Sequence, residues 1–324
     1  MSHPYDRLSP DLILDAVESV GLVPNGQVVA LNSYENRVYQ VGIEDGEPMV
    51  AKFYRPDRWS DESILEEHSF SQELATQEIP VVAPLAFDDH SLLKHAGFRF
   101  ALFPRRGGRA PEAGDLDQLE WIGRFLGRIH LTGQHRRFAC RPSLAVDTLG
   151  YPALEAVLGS PLLPPQWQRP YRQLAATLLD AARERLEAIA PPSMRLHGDC
   201  HPGNILWTDT GPHFVDMDDC LQGPAIQDLW MLLSGDRGEM TLQLDALLAG
   251  YRTFRDFDLR ELALIEPLRA LRLVHYTGWL CRRWDDPAFP RAFPWLGEAG
   301  WWEGHIADLE QQRLRMAEPP LMVY

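Results

Sequence analysis

Lysine is almost missing from this chain: Lys52 and Lys94 stand alone among 31 basic residues, the rest being arginine. A lysine inside an apolar run is therefore a marked choice. Positive charge as a whole is also short. The 46 acidic residues outnumber the basic ones and leave a net charge of −15, which argues against general binding to phosphate backbones or anionic lipid. No apolar run approaches the ~20 residues that cross a bilayer, and residues 1–10 lack a basic-then-apolar secretory pattern. The four cysteines, Cys140, Cys200, Cys220 and Cys281, show no CxxC spacing; reduced thiols in a cytoplasm fit better than a disulfide framework. Internal repeats and low-complexity tracts are also lacking. What is present is globular material, 45% hydrophobic and 24% charged over 324 residues, enough for about two domains with a sizeable core.

Periodicity divides the chain. Leu12, Ile13, Ala16, Val17 and Val20 predict a short helix over 11–20. Short β-branched and aromatic runs at 27–31, 37–41 and 49–54, parted by polar turns, predict a β-meander. Ser60 or Asp61 can cap a helix reaching about residue 77, and 91–93 and 97–103 read as further strands that end at a Pro- and Gly-containing linker, 104–108. Beyond it helical spacing predominates at 116–132, 165–189, 241–254, 259–284 and 301–316, interrupted by strand-like runs within 195–219. The expectation is an α+β chain: a strand-rich unit with one main helix at 1–103, the linker at 104–108, and a larger helical unit at 109–324. A cleft between two such lobes is a natural ligand site.

The most specific segment is Leu196-His197-Gly198-Asp199-Cys200-His201-Pro202-Gly203-Asn204-Ile205-Leu206. It is followed by Phe214-Val215-Asp216-Met217-Asp218-Asp219, in which Asp216 ends a strand-like run. A loop followed by a hairpin can bring Asp199, Asn204 and Asp216 together as one free carboxylate, one neutral oxygen ligand and one charged oxygen ligand. Such oxygens suit Mg²⁺, which shares its shell with nucleotide phosphates and water. The free carboxylate can orient a hydroxyl and accept its proton during phosphoryl transfer. His197 and His201 flanking Cys200 invite a transition-metal reading, but successive Asp-Cys-His side chains rarely point at one centre; His197 is expected to pack and hold the loop. Cys200 and Cys220 fall beside the same loop, where packing is favoured over a redox role because no basic neighbour is guaranteed. Tyr276, Trp279, Arg282, Arg283 and Trp284 could line an acceptor groove, although core packing suits most of the aromatics. Asp218 and Asp219 could assist a metal or solvate the turn, and both rank below Asp216.

His197–Asn204 resembles the catalytic loop of protein kinases in the form used by the aminoglycoside phosphotransferase and choline kinase superfamily. Asp216 resembles the metal-binding Asp of the Asp-Phe-Gly motif; Met217 and Asp218 follow it without the Gly, so an activation-loop switch is not implied. Met49-Val50-Ala51-Lys52 resembles the Val-Ala-Ile-Lys strand whose lysine takes the α- and β-phosphates. Its expected partner is Glu66 or Glu67 on the next helix, and the resemblance favours Glu67 from its spacing to Leu74 and the Ile-Pro-Val that follows. The loop over the phosphates, 31–38, has no Gly, but Asn32, Ser33 and Asn36 can offer amides and a hydroxyl, which puts Ser33 near the nucleotide. Residues 100–105 resemble the adenine-binding hinge. Gly123-x-x-x-Gly127-x-x-His130 resembles a helix of these phosphotransferases whose glycines allow close contact, and Asp228 the buried Asp that braces the catalytic loop.

A narrower resemblance, through 31–40, 52–56, 66–68, 197–206, 223–236, 284–296 and 318–321, is to the stress response kinase A family of bacterial serine/threonine protein kinases. It covers nearly the whole chain. It implies a bilobal protein-kinase-like fold, with a small antiparallel sheet and one main helix in the first lobe and a larger helical second lobe. It also implies a monomeric cytoplasmic enzyme that uses ATP and Mg²⁺ on a protein hydroxyl and is linked to survival under stress; nucleic acid and membrane are not expected partners. Two alternatives stand beside it. One is a phosphotransferase of the same fold acting on an amino alcohol, sugar or antibiotic. The other is a non-catalytic nucleotide-binding scaffold, supported only by the Gly-free loop.

Overall fold

The computed structural model describes residues 5–323. Helix α1 (Pro10–Glu18) begins at Ser9, whose side chain accepts from Leu12 N, and it buries Ile13, Ala16 and Val17. These pack against one face of an antiparallel sheet formed by β1 (Pro24–Ala30), β2 (Arg37–Ile43), β3 (Met49–Phe53) and, after helix α2 (Asp61–Thr76), β4 (Leu93–His95) and β5 (Phe98–Pro104). The spatial order is β1-β2-β3-β5-β4. In β3, Ala51 and Phe53 join the core under α1. Side chains alternate along a strand, so Lys52 between them faces the other way, towards α2. Ser60 caps α2 by accepting from Ser63 N.

The larger lobe holds α3 (Leu116–Gly133), α4 (Val146–Leu149), α5 (Tyr151–Leu158), α6 (Pro165–Ile189), α7 (Gln227–Trp230), α8 (Arg237–Tyr251), α9 (Ile265–Arg282), α10 (Ala288–Ala292) and α11 (Ala299–Arg315). Two small ladders lie among them: β6 (Met194–Leu196) pairs with β9 (Leu221–Gly223), and β7 (Ile205–Thr208) pairs with β8 (Gly211–Phe214). One apolar core unites α3 and α8 with Leu196, Cys200, Ile205, Phe214 and Met217, and it also takes in Phe70 and Leu74 from α2. The loops carrying Asp199 and Asp216 are therefore anchored in apolar contacts that cross between the lobes. A second core gathers α5, α6, α9 and α11.

Boundaries differ from expectation where local chemistry intervenes. The strand expected at 91–93 lies at Leu93–His95, because the left-handed turn at Ala96 and Gly97 sets its register against Phe98–Phe100. Helix α8 starts at Arg237 rather than at 241, since Asp236 and Glu239 form a reciprocal capping box. The helix expected over 259–284 is divided into a 3₁₀ stretch, Leu259–Leu264, and α9. Pro267 has no N–H and its ring crowds the carbonyl four residues back, which suits the first turn of a helix but not its interior. Helices α4, α5 and α10 are too short for a helical period to announce them.

Candidate active site

The loop that follows β6 is held from behind by Asp228 on α7. Its carboxylate accepts from His197 N and Gly198 N, both at 2.8 Å, and meets His130 Nε2 at 3.0 Å. Gly198 is demanded by geometry: its φ is +86°, and a Cβ there would stand 2.2 Å from Asp219 O. His197 Nε2 lies 3.0 Å from Val215 O, so the buried histidine ties this loop to the segment carrying Asp216. Asn204 donates from Nδ2 to Asp199 O at 3.0 Å, and its own carbonyl accepts from Val215 N at 3.0 Å. These bonds bring Asp199, Asn204 and Asp216 to one place. The Asp199 carboxylate is engaged on both sides, by Arg272 Nη1 of α9 at 2.5 Å on Oδ1 and by His201 Nε2 at 3.5 Å on Oδ2. Burial alone would raise its pKa, but the hydrogen bond from His201 and the Arg272 charge outweigh that and hold the carboxyl well below the usual range.

From the small lobe, Lys52 Nζ reaches Asp216 Oδ1 at 3.0 Å, Asp218 Oδ1 at 3.1 Å and Glu67 Oε1 at 3.5 Å. Glu66 is employed elsewhere, accepting from the backbone N–H groups of Ala139, Cys140 and Arg141. Burial works against the Lys52 charge, yet the surrounding carboxylates outweigh it and set its pKa well above the ordinary value. Burial pushes Glu67 up to about 7, with Lys52 pulling the other way. Asp218 is buried and also bound by Arg58, while Arg141 donates to its backbone carbonyl. Burial would raise its carboxyl too; Arg58, then Lys52, hold it well below the usual range.

Ser33 closes its own loop, its Oγ donating to Asn36 O at 3.1 Å, and no described bond joins it to Lys52. That loop meets the rest of the site through Glu35. Its carboxylate takes Arg55 at 3.0 Å, Arg283 at 2.7 Å and Trp279 Nε1 at 2.5 Å. Cys200 and Cys220 are buried and burial pushes both thiols up, which suits packing. Sequence reasoning did not single out Glu35, Arg58, Arg141 or Arg272, and Asp218, instead of solvating the turn, is buried against Lys52 and Arg58. One signal was available for Arg272: the stretch from His197 to Asn204 contains no lysine or arginine, so any guanidinium or ammonium beside Asp199 has to come from another element.

Among the described residues, no group of three or more His, Cys, Asp and Glu could hold a metal ion. A Mg²⁺ site does not require one. Asp216 is half exposed and uses only Oδ1 for Lys52, and Asn204 Oδ1 is left over once Nδ2 donates to Asp199. These two oxygens suit an ion that completes its shell with phosphate oxygens and water, so the residues present fit the group.

Residues 27–265 match the phosphotransferase enzyme family. The chain is 46% identical over 319 residues to "Serine/threonine protein kinase RdoA" of Salmonella typhimurium, covering 98% of this chain and 97% of the relative. It is likewise 46% identical over 325 residues to "Stress response kinase A" of Escherichia coli strain K12, with the same coverage. Among solved structures, an amicoumacin kinase in complex with AMP-PNP, Ca²⁺ and Ami superposes with a TM-score of 0.72 at 19% identity, covering 92% of this chain and 90% of that one. A microcompartment-associated aminopropanol kinase superposes with a TM-score of 0.67, also at 19% identity, covering 90% and 93%. At that identity the likeness concerns the bilobal kinase-like fold.

Proposed function

We propose, from the premise that this chain belongs to the phosphotransferase enzyme family and is a kinase, that it transfers the γ-phosphoryl group of ATP to a serine or threonine hydroxyl of a protein. The observation that carries this reading is the meeting of Lys52, from the small sheet, with Asp216 and the Asp199–Asn204 loop of the large lobe. Identity of 46% along almost the whole chain to relatives named as serine/threonine and stress response kinases supports a protein acceptor in a stress response. The small-molecule kinases found among solved structures speak for fold alone. No helix among the described residues is long and apolar enough to cross a membrane, and in this reading the enzyme works as a cytoplasmic monomer.

In this scheme Lys52, held by Glu67, takes the α- and β-phosphates. Arginine replaces it poorly, because a flat, bulkier head needs a different pocket. Residues 100–105 supply backbone groups for adenine, and the 31–36 loop with Ser33 lies over the phosphates. Asn204 and Asp216 would hold Mg²⁺, which when bound offsets charge on the phosphate oxygens. Asp199 orients the acceptor hydroxyl and takes its proton late. A carboxylate held at low pKa is suited to this, since a loose transition state asks for little base strength early.

Asp199→Asn and Lys52→Arg are each expected to stay folded by circular dichroism and to lose roughly 100-fold or more in transfer from labelled ATP. Wild-type-like turnover by purified Asp199→Asn would refute the assigned base. Offering a generic protein substrate beside a panel of amino alcohols, sugars and antibiotics tests the acceptor. Labelling confined to the small molecules would reverse that part of the reading.

A further inference from the structure

We propose that Arg272, on α9, is the cation that meets the transferring phosphoryl group: it pairs with Asp199 and turns to the γ-phosphoryl oxygens once nucleotide is bound. This rests on the phosphotransfer reading above and deepens it. The starting point is a shortage. Phosphoryl transfer spreads negative charge over three equatorial oxygens and is catalysed mainly by positioning and fixed positive charge. The loop from His197 to Asn204 offers no lysine or arginine, and the other cations nearby are committed. Lys52 is ringed by Asp216, Asp218 and Glu67. Arg58 is held by Asp218 and Asp219. Arg141 is buried and donates to the carbonyls of Asp218 and Cys220.

Arg272 differs from all three. Its side chain is 40% exposed, and its one described hydrogen bond goes to Asp199 Oδ1 at 2.5 Å. It stands on an 18-residue helix whose buried face is fixed in the second core, with Leu271 and Val274 on either side of it in sequence. The backbone is thus rigid while the guanidinium can change partners. The same helix brings Trp279, and just past its end Arg283, to Glu35 of the small-lobe loop, so this face of α9 borders the site over about two turns. A planar fork of donors suits paired phosphoryl oxygens as well as it suits a carboxylate. In the step itself, the acceptor oxygen forms its bond to Pγ, the bond from Pγ to the β,γ-bridging oxygen breaks, and the acceptor proton passes to Asp199. Departure of Arg272 from Oδ1 is what frees that oxygen for the acceptor hydroxyl.

The test compares full-length wild type, Arg272→Lys and Arg272→Gln. Calorimetry reads the affinity for Mg-ADP and for Mg-AMP-PNP, and steady-state transfer reads kcat and KM. The wild type is expected to prefer AMP-PNP. Arg272→Gln should bind Mg-ADP within about twofold of wild type, lose roughly fivefold or more of the AMP-PNP preference, and lose about 100-fold in kcat with little change in KM for ATP. Arg272→Lys should recover part of both losses. The proposal is overturned if the wild type shows no AMP-PNP preference or if Arg272→Gln keeps it. It is overturned equally if Mg-ADP affinity falls in parallel, which marks a structural role, or if the variant turns over faster than wild type, which marks an inhibitory lock. A wild type that neither binds nucleotide nor transfers phosphate overturns the phosphotransfer reading itself, a result none of the variant outcomes imitates.

Discussion

At Asp216 the backbone takes φ 58° and ψ 63°, a left-handed conformation that costs a non-glycine residue roughly 1–2 kcal/mol. The cost is offset by what the turn achieves: the carboxylate leaves the end of β8 half exposed yet within reach of Lys52 and next to Asn204. A buried carboxyl elsewhere has a structural task. Glu261 accepts from Ile226 N at 2.9 Å, just ahead of the short helix that carries Asp228, and burial pushes its pKa from 4.5 up to about 7. The unfolded chain releases this proton near 4.5 and the folded chain only near 7, so between those values the folded form holds more protons and stability falls as pH rises. The loss amounts to about 3 kcal/mol by pH 8. Glu261→Gln keeps an oxygen for Ile226 N and has no proton to release. Urea titrations should therefore show the variant gaining on wild type by about that amount between pH 4.5 and 8, and a constant difference across the range would refute the assignment.

Helices α3 and α8 cross with backbone against backbone. A Cβ on Gly123 would lie 2.0 Å from Leu247 O, and one on Gly250 would lie 1.9 Å from Glu120 O. This approach places His130 of α3 between Tyr251 and Asp228, so the brace behind Asp199 depends on how closely two helices meet. Gly123→Ala should cost about 3 kcal/mol in urea unfolding, because neither backbone can yield cheaply. Gly304→Ala in α11, with nothing within 4 Å of the added carbon, should be neutral or stabilise by about 0.5–1 kcal/mol. Equal effects at the two sites would remove helix approach as the cause. The same scale explains what was legible in the sequence. The α+β division showed because strand alternation and helical period are local signals. Asp199, Asn204 and Asp216 showed because one loop and one hairpin carry all three. The residues that were missed act across distance: Arg272 meets Asp199 from 73 positions away, and Arg58 meets Asp218 from 160. No spacing rule announces such pairs, and surface arginines are too common here for any one to stand out.

Across the whole molecule, the loop at 31–36 is bolted rather than hinged. Glu35 sits among Arg55, Arg58 and Arg283, Asp286 receives Arg37 and Arg55, and the Tyr34 ring meets Phe293 at 4.9 Å. Each contact except those to Arg55 and Arg58 from Glu35 joins the small lobe to the segment after α9. A loop without glycine can be positioned by such partners where a glycine-rich one relies on its own backbone freedom. These bonds also keep the lobes together beside the direct pairing of Lys52 with Asp216 and Asp218. Removing one member of a buried charge network leaves the others unpaired, at a cost of about 3–5 kcal/mol; some of that should appear as easier opening. Glu35→Gln is therefore expected to lower the melting temperature and to speed release of a fluorescent ADP analogue by roughly tenfold, with Lys52, Asp199, Asn204 and Asp216 untouched. Stopped-flow measurement decides it: a lower melting temperature with release within twofold of wild type would show that the clasp supports the fold without controlling passage into the site.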